Sequence, residues 1–366
     1  MNIQRVTLYY TNMNLVTPFQ TSYGLYKERE SILIQLHDED GRSGWGEVVA
    51  FSQPWYTEET IQTASHMLTD YLIPALLRTP LAHPSDVQKL WQVKRNHMAK
   101  AGIEGALWDL YAQQTNQSLK GALGGLKEEI EVGVVIGLNS LPVMLRHIEQ
   151  YARDGYKRFK VKIKPDRDYE IVSGIRKEFP DIPLMVDANS AYTLNDLNKL
   201  KRLDEFRLMM IEQPLGDHDF LDHATLQQQI ETPICLDESI HTLEDARVAI
   251  RLGSCQIINV KPGRVGGLTE AIRIHDFCME QHIPVWCGGM IETGISRAQN
   301  IALSTLPNFS IPGDISASAR YWEEDIICPE VTVKNGKVTV STLNGLGYEI
   351  NQKRLETITM HTRHFT

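Results

Sequence analysis

Positive charge is in short supply in this chain: 37 lysines and arginines stand against 46 aspartates and glutamates, giving a formal charge of −9 and a pI near 5.8. A global positive field for nucleic acid or anionic lipid is therefore excluded. No stretch approaches the roughly 20 apolar residues needed to cross a bilayer, and the opening MNIQRVTLYY has no charged segment ahead of an apolar run. Neither a spanning helix nor a secretory signal is expected, and the cytoplasm is the predicted compartment. Cysteine is sparse and odd in number, at positions 235, 255, 278, 287 and 328, with no C-x-x-C pair. The thiols read as reduced, buried filler, with Cys287 left open as a catalytic thiol. No glycine-rich phosphate turn follows the first parallel strand, which argues against a dinucleotide fold. H-E-x-x-H and close His or Cys pairs are missing too, which argues against zinc.

What is present is a globular composition, 42% hydrophobic and 23% charged, in 366 residues. That length suits one barrel plus a smaller unit. Residues 1–125 read as an α+β unit. RVTLYYTNM and SILIQLHDEDGRSGWGEVVAF alternate as strands around an Asp40-Gly41 turn, and helical spacing follows in EETIQTASHMLTDYLIPALL and MAKAGIEGALWDLYAQQ. From 126 to 325, eight short apolar runs (VGVVIG, RFKVKI, PLMVDA, LMMIEQ, PICLDE, QIINVK, IPVWCG and, less clearly, FSIPGD) alternate with helical patterns. That number of βα units predicts a closed α/β barrel of the TIM type. In 326–366, EVTVKNGKVTV reads as a hairpin about Asn335-Gly336, and the segment is expected to return to the N-terminal unit.

The charged residues fall on the barrel rhythm. Lys162, Asp187, Glu212, Asp237 and Lys261 each end an apolar run, at separations of 25, 25, 25 and 24 residues. One βα unit has that length, so all five are expected at the C-terminal rim, where barrel active sites gather. Three carboxylates brought together repel one another unless a cation sits among them, and hard oxygens in this number suit Mg²⁺ or Mn²⁺. Lys162 precedes the three and Lys261 follows them, so the two amines bracket the proposed metal; simple salt bridging is the alternative. Lys160 shares a strand face with Lys162, and repulsion plus the metal's field is expected to lower both pKa values, as a general base requires. A Schiff-base aldolase also places a lysine in a barrel but has no use for three metal carboxylates. A non-catalytic barrel is the blandest alternative.

At these motifs the chain resembles the enolase superfamily, in its o-succinylbenzoate synthase and N-acylamino acid racemase group. The likeness rests on Lys160-Val161-Lys162, MVDANSAY, IEQP, CLDES, NVKPGRVGG and the long WCGGMIETGISRAQNIALSTLPNFSIPGDISAS, and runs nearly end to end. It implies a (β/α)7β barrel under an N-terminal α+β capping domain completed by the C-terminal segment. It further implies Mg²⁺ (with Mn²⁺ able to substitute) on Asp187, Glu212 and Asp237, acid/base chemistry by Lys162 and Lys261, and support from Lys160 and Asn189. Loops PFQTSYG, with Phe19 and Tyr23, and FSQPWY, with Trp55 and Tyr56, are expected to close over the mouth. Gly289, Met290 and Ile291 are expected beside the substrate. Arg264 resembles a residue of racemase-competent relatives that would tune Lys261, a surface arginine being the alternative.

One departure is Val135, where relatives often carry a small hydroxyl residue; it puts a polar substrate contact there in doubt. The implied reaction removes a proton next to a carboxylate. One outcome is dehydration of 2-succinyl-6-hydroxy-2,4-cyclohexadiene-1-carboxylate in menaquinone synthesis. The other is racemisation of an N-acylamino acid by the same two lysines. The expected partners are a small-molecule carboxylate and further copies of the chain, not nucleic acid or membrane.

Overall fold

The computed structural model describes residues 1–20 and 25–366, without the side chains of residues 19, 20 and 25. Three N-terminal strands, β1 (Ile3–Gln20), β2 (Leu25–Asp38) and β3 (Ser43–Val48), form an antiparallel meander. Leu8 sits opposite Ile34, and Ile34 opposite Gly46. Helix α1 (His97–Gln114) lies against β3 at a separation that only glycine allows. A Cβ on Gly44 or Gly46 would stand 2.2 Å from Ala106 O or 2.0 Å from Gly102 O. Those two glycines set how closely helix and sheet pack. The helix is buried on nearly every side because the barrel covers the face turned away from the sheet.

Seven parallel strands build the barrel wall: β4 (Val134–Ile136), β5 (Phe159–Lys162), β6 (Leu184–Asp187), β7 (Ile211–Glu212), β8 (Ile234–Leu236), β9 (Ile257–Val260) and β10 (Val285–Cys287). The eighth run, FSIPGD, closes the ring. Its Phe309 bridges Val285, its Gly313 bridges Val132, and Gly133 N donates to Gly313 O at 2.8 Å. Pro312 and the glycine keep this run from forming a regular strand, yet both neighbours bond to it. Inside the bore Met185, Met210, Cys235, Ile257 and Trp286 form a core of their own. These side chains fill the bore beneath the rim.

The expected C-terminal hairpin is only half there. Asn335 and Gly336 turn with positive φ, but the arm Lys337–Thr339 pairs with Glu129–Glu131 at the foot of the barrel. The strand that joins the cap sheet is β11 (Thr359–Phe365), antiparallel to β1 with Leu8 opposite Arg363. The turn itself closes, with Lys334 and Lys337 exchanging backbone bonds at 2.9 and 3.0 Å, and the outgoing arm takes the rest of its ladder from Glu129–Glu131 instead of from the incoming arm.

Two buried glutamates of the N-terminal region staple it to the barrel. Glu47, on β3, accepts from Thr293 N at 3.0 Å, Thr293 Oγ1 at 2.8 Å and Ser296 N at 3.2 Å, at the start of helix α3 (Gly294–Leu303). Glu104, on α1, accepts from Leu268 N at 2.7 Å and Thr269 N at 2.8 Å, at the start of helix α2 (Leu268–Glu280). Each carboxylate satisfies amides that no intrahelical partner can reach.

Candidate active site

Strand register alone lines up the charged residues, since Lys162 pairs with Asp187 and Asp187 with Glu212 across β5, β6 and β7. The alternation of β5 sends both Lys160 and Lys162 into the bore. Lys160 Nζ lies 2.9 Å from Asp187 Oδ2, 2.8 Å from Glu212 Oε2 and 3.3 Å from Asp314 Oδ2. Lys162 Nζ donates to Asp187 Oδ2 at 2.6 Å and to Asn189 Oδ1 at 2.5 Å. Across the cavity Lys261 Nζ donates to Asp237 Oδ2 at 2.8 Å and to the Tyr56 hydroxyl at 2.9 Å. The five rhythmic charges, with Lys160, therefore converge on one place.

The electrostatics divide the carboxylates. Burial pushes the Glu212 carboxyl up to about 8, with Asp187 adding to the rise. For Asp187 and Asp237 burial acts in the same upward sense, but the adjacent lysines, joined at Asp237 by Arg264, outweigh it and leave both below the usual range. The expectation of amines tuned downward does not hold for Lys160. Burial lowers its pKa, but Asp187, Glu212 and Asp314 prevail and raise it well above the ordinary value. Lys261 is likewise raised, by Asp237 and Tyr56 against the effect of burial. A carboxylate at about 3 Å outweighs a second amine farther off.

Among the described residues, no three His, Cys, Asp or Glu side chains already surround a common point. The donor set nonetheless fits a hard divalent cation. It offers carboxylate oxygens; Glu212 Oε2 is buried without an aligned hydrogen-bond donor, and the one ammonium beside it, Lys160, is shared with Asp187 and Asp314. Asp187, Glu212 and Asp237 would be the holders.

A cavity of about 610 Å³ opens above these groups. Lys160, Lys162, Asp187, Asp237 and Lys261 line its floor, with Asn189 at the side. Tyr56, Gly289, Met290 and Ile291 form its walls, along with Phe51 and Trp55. Val135 also faces it, an apolar side chain where a hydroxyl would have offered a polar contact. Ile291 holds φ at 56°, a left-handed conformation costly for a β-branched residue. Glu212 lies beneath the floor, anchored by Asn259 Nδ2 at 3.0 Å. The side chain of Phe19 and the whole of Tyr23 lie outside the described residues.

Arg264 is not at the surface. It is 1% exposed, bonds Asp237 Oδ1, and donates to the Tyr56 hydroxyl at 3.0 Å and Ile240 O at 2.8 Å. Cys287 is buried, and burial holds its thiol well above the usual value, so it is no nucleophile. Two carboxylates at the site were missed in the sequence. Glu238 accepts from Asn189 Nδ2 at 2.9 Å, and burial pushes it up to about 7. Asp314 ends the eighth run and is held by Arg158 and Lys160. The strand-end rule that finds Asp187 also finds Asp314, once FSIPGD is read as the eighth barrel element.

A plugged β/α barrel with acidic and amine side chains converging at its C-terminal rim, roofed by an α+β cap, defines a capped barrel enzyme. Residues 143–354 match the enolase C-terminal domain-like family, and residues 3–124 match the mandelate racemase / muconate lactonizing enzyme N-terminal domain. The chain belongs to the enolase superfamily, in the group of o-succinylbenzoate synthases and N-succinylamino acid racemases. It is 55% identical to an o-succinylbenzoate synthase of Bacillus subtilis, over 96% of this chain and 95% of that one. It is 42% identical to an N-succinylamino acid racemase of Thermus thermophilus, over the full length of both. A solved enolase-superfamily structure from Listeria innocua superposes with a TM-score of 0.98 at 43% identity, covering 100% of this chain and 99% of that one.

Proposed function

We propose that this enzyme is an o-succinylbenzoate synthase, a lyase that dehydrates 2-succinyl-6-hydroxy-2,4-cyclohexadiene-1-carboxylate to 2-succinylbenzoate. The observation that carries the reading is the pair of amines, Lys162 and Lys261, on opposite flanks of three strand-end carboxylates in a cavity of substrate size. The full-length likeness to synthases at 43–55% identity supports it. Mg²⁺ is the proposed ion, with Mn²⁺ as a substitute, held by Asp187, Glu212 and Asp237. Bound there, a divalent cation supplies positive charge that relieves the three carboxylates, weakens the hold of Asp187 on the Lys162 proton and stabilises negative charge on the substrate carboxylate.

Lys162, neutral, removes the proton from the ring carbon next to that carboxylate. The C–H electron pair becomes the new ring double bond, and the C–O bond to the neighbouring hydroxyl breaks. The proton on Lys162 then leaves with that hydroxyl as water, so one amine serves as base and acid on one face. Lys261 stays cationic on the other face, locked between Asp237 and Tyr56, and stabilises the charge that develops. Asn189 positions Lys162, and the walls from Phe51 to Tyr56 and from Gly289 to Ile291 exclude water.

Residues 1–125 with 326–366 are proposed as the cap over the catalytic barrel of 126–325, the protein as a cytoplasmic homo-oligomer, and its product as a menaquinone precursor. Racemisation of N-succinylamino acids is the second reading, favoured by the full-length likeness to an N-succinylamino acid racemase and by the presence of an amine on each flank of the carboxylates. Comparing kcat/KM for the cyclohexadiene carboxylate and for N-succinylamino acids, with Mg²⁺ and after EDTA, tests both. Strong racemisation without dehydration would reject the synthase reading.

A further inference from the structure

The two kinds of relative are named for different reacting halves, a benzoate that is formed and an amino acid that is racemised, yet both names carry a succinyl group. A succinyl tail is a short chain with a carbonyl at one end and a carboxylate at the other, so its charge lies remote from the carbon that loses its proton. A site serving both molecules has to hold a second negative charge away from its metal-ligand carboxylates.

The cavity has four lysines, and three are committed. Lys160 and Lys162 are ion-paired to Asp187, and Lys261 to Asp237. The fourth is Lys164, which continues the alternation of Lys160 and Lys162 past the end of β5. It lines the same cavity but is exposed at the rim, and among the described residues no carboxylate pairs with it. Leu138 and Ile163 line the cavity with it, apolar surface suited to the methylenes of a succinyl chain.

We propose that Lys164 is a specificity residue that binds the tail carboxylate of a succinyl substrate. This deepens the proposed function and rests on it. The reacting carboxylate lies at the floor, the tail runs up the wall formed by Leu138 and Ile163, and its charge meets the Lys164 ammonium at the mouth. Lys164 touches no reacting atom, so it acts through affinity alone. A partly dehydrated pair of this kind favours the charged tail roughly three- to tenfold.

The test is calorimetric titration of the Mg²⁺-loaded protein with 2-succinylbenzoate and with 2-butyrylbenzoate, which lacks the tail carboxylate. Lys164→Gln is expected to weaken 2-succinylbenzoate by that factor and leave 2-butyrylbenzoate unchanged, while Lys164→Arg restores the preference. Equal change for both ligands, or for neither, overturns the tail assignment while leaving the lysine chemistry standing. A wild-type protein that binds no 2-succinylbenzoate overturns the synthase reading and this assignment with it. Lys164 is exposed and outside any secondary-structure element, so both variants keep the fold.

Discussion

The two flanks of the cavity carry the same functional group in opposite settings. Lys261 has a side chain only 8% exposed and is held by Asp237 and by a tyrosine hydroxyl that Arg264 also grips. Lys162 is 21% exposed and bonds Asp187 and Asn189. Asp237 and Tyr56 keep the Lys261 amine charged against the effect of burial, whereas Lys162 stands at the more open side of the cavity with one carboxylate and one amide oxygen as partners. The asymmetry favours the dehydration chemistry, which asks for one amine that exchanges a proton and one that does not. Racemisation asks for two that do.

The sharpest way to break that comparison is Lys162→Ala. Proton–deuterium exchange at the substrate carbon, followed by NMR, should fall by about a thousandfold or more; residual exchange near the wild-type rate would move the base elsewhere. Lys261→Arg separates the flanks further. Dehydration should survive with a loss of about tenfold, because a cation remains, while racemisation disappears. Equal loss of both activities would mean that Lys261 also transfers a proton during dehydration. Tyr56→Phe removes the hydroxyl shared by Lys261 and Arg264, and kcat should drop by about tenfold, with KM nearly unchanged.

The smallest effect is one of stability. Glu212 at about 8 and Glu238 at about 7 bind protons more readily folded than unfolded, where a glutamate titrates near 4.3. Their contribution is complete below the unfolded pKa near 4.3 and is lost progressively as pH rises from there through 7 to 8. Glu47, pushed up to about 7 by burial, acts in the same sense. Melting of the metal-stripped protein should fall by a few degrees between pH 5 and pH 8.5, and Mg²⁺ should remove the part due to Glu212 and leave that of Glu47. An Mg²⁺-insensitive slope would show that Lys160 already satisfies Glu212.

Much of the site was legible because barrel strands are short and regularly spaced, so a charge after each apolar run maps onto a position on the rim. Where that regularity fails, so does the reading. Asp314 hides behind a run broken by Pro312 and Gly313, and Glu238 directly follows Asp237, where a period of two points the other way. The final strand, TMHTRHF, is a wet edge with almost no buried side chain, so its sequence shows no apolar alternation. The pKa of Lys160 depends on distances to Glu212 and Asp314, residues 52 and 154 positions away, which no local pattern encodes.

Glu47 and Glu104 fasten the roof of the barrel to the first turns of two of its helices, burying each carboxylate among the amides it satisfies. Parting the two layers gives up every one of these bonds at once, so roof and barrel are built to behave as one piece. A lesion at either glutamate is then expected to loosen the joint before it alters the chemistry beneath it.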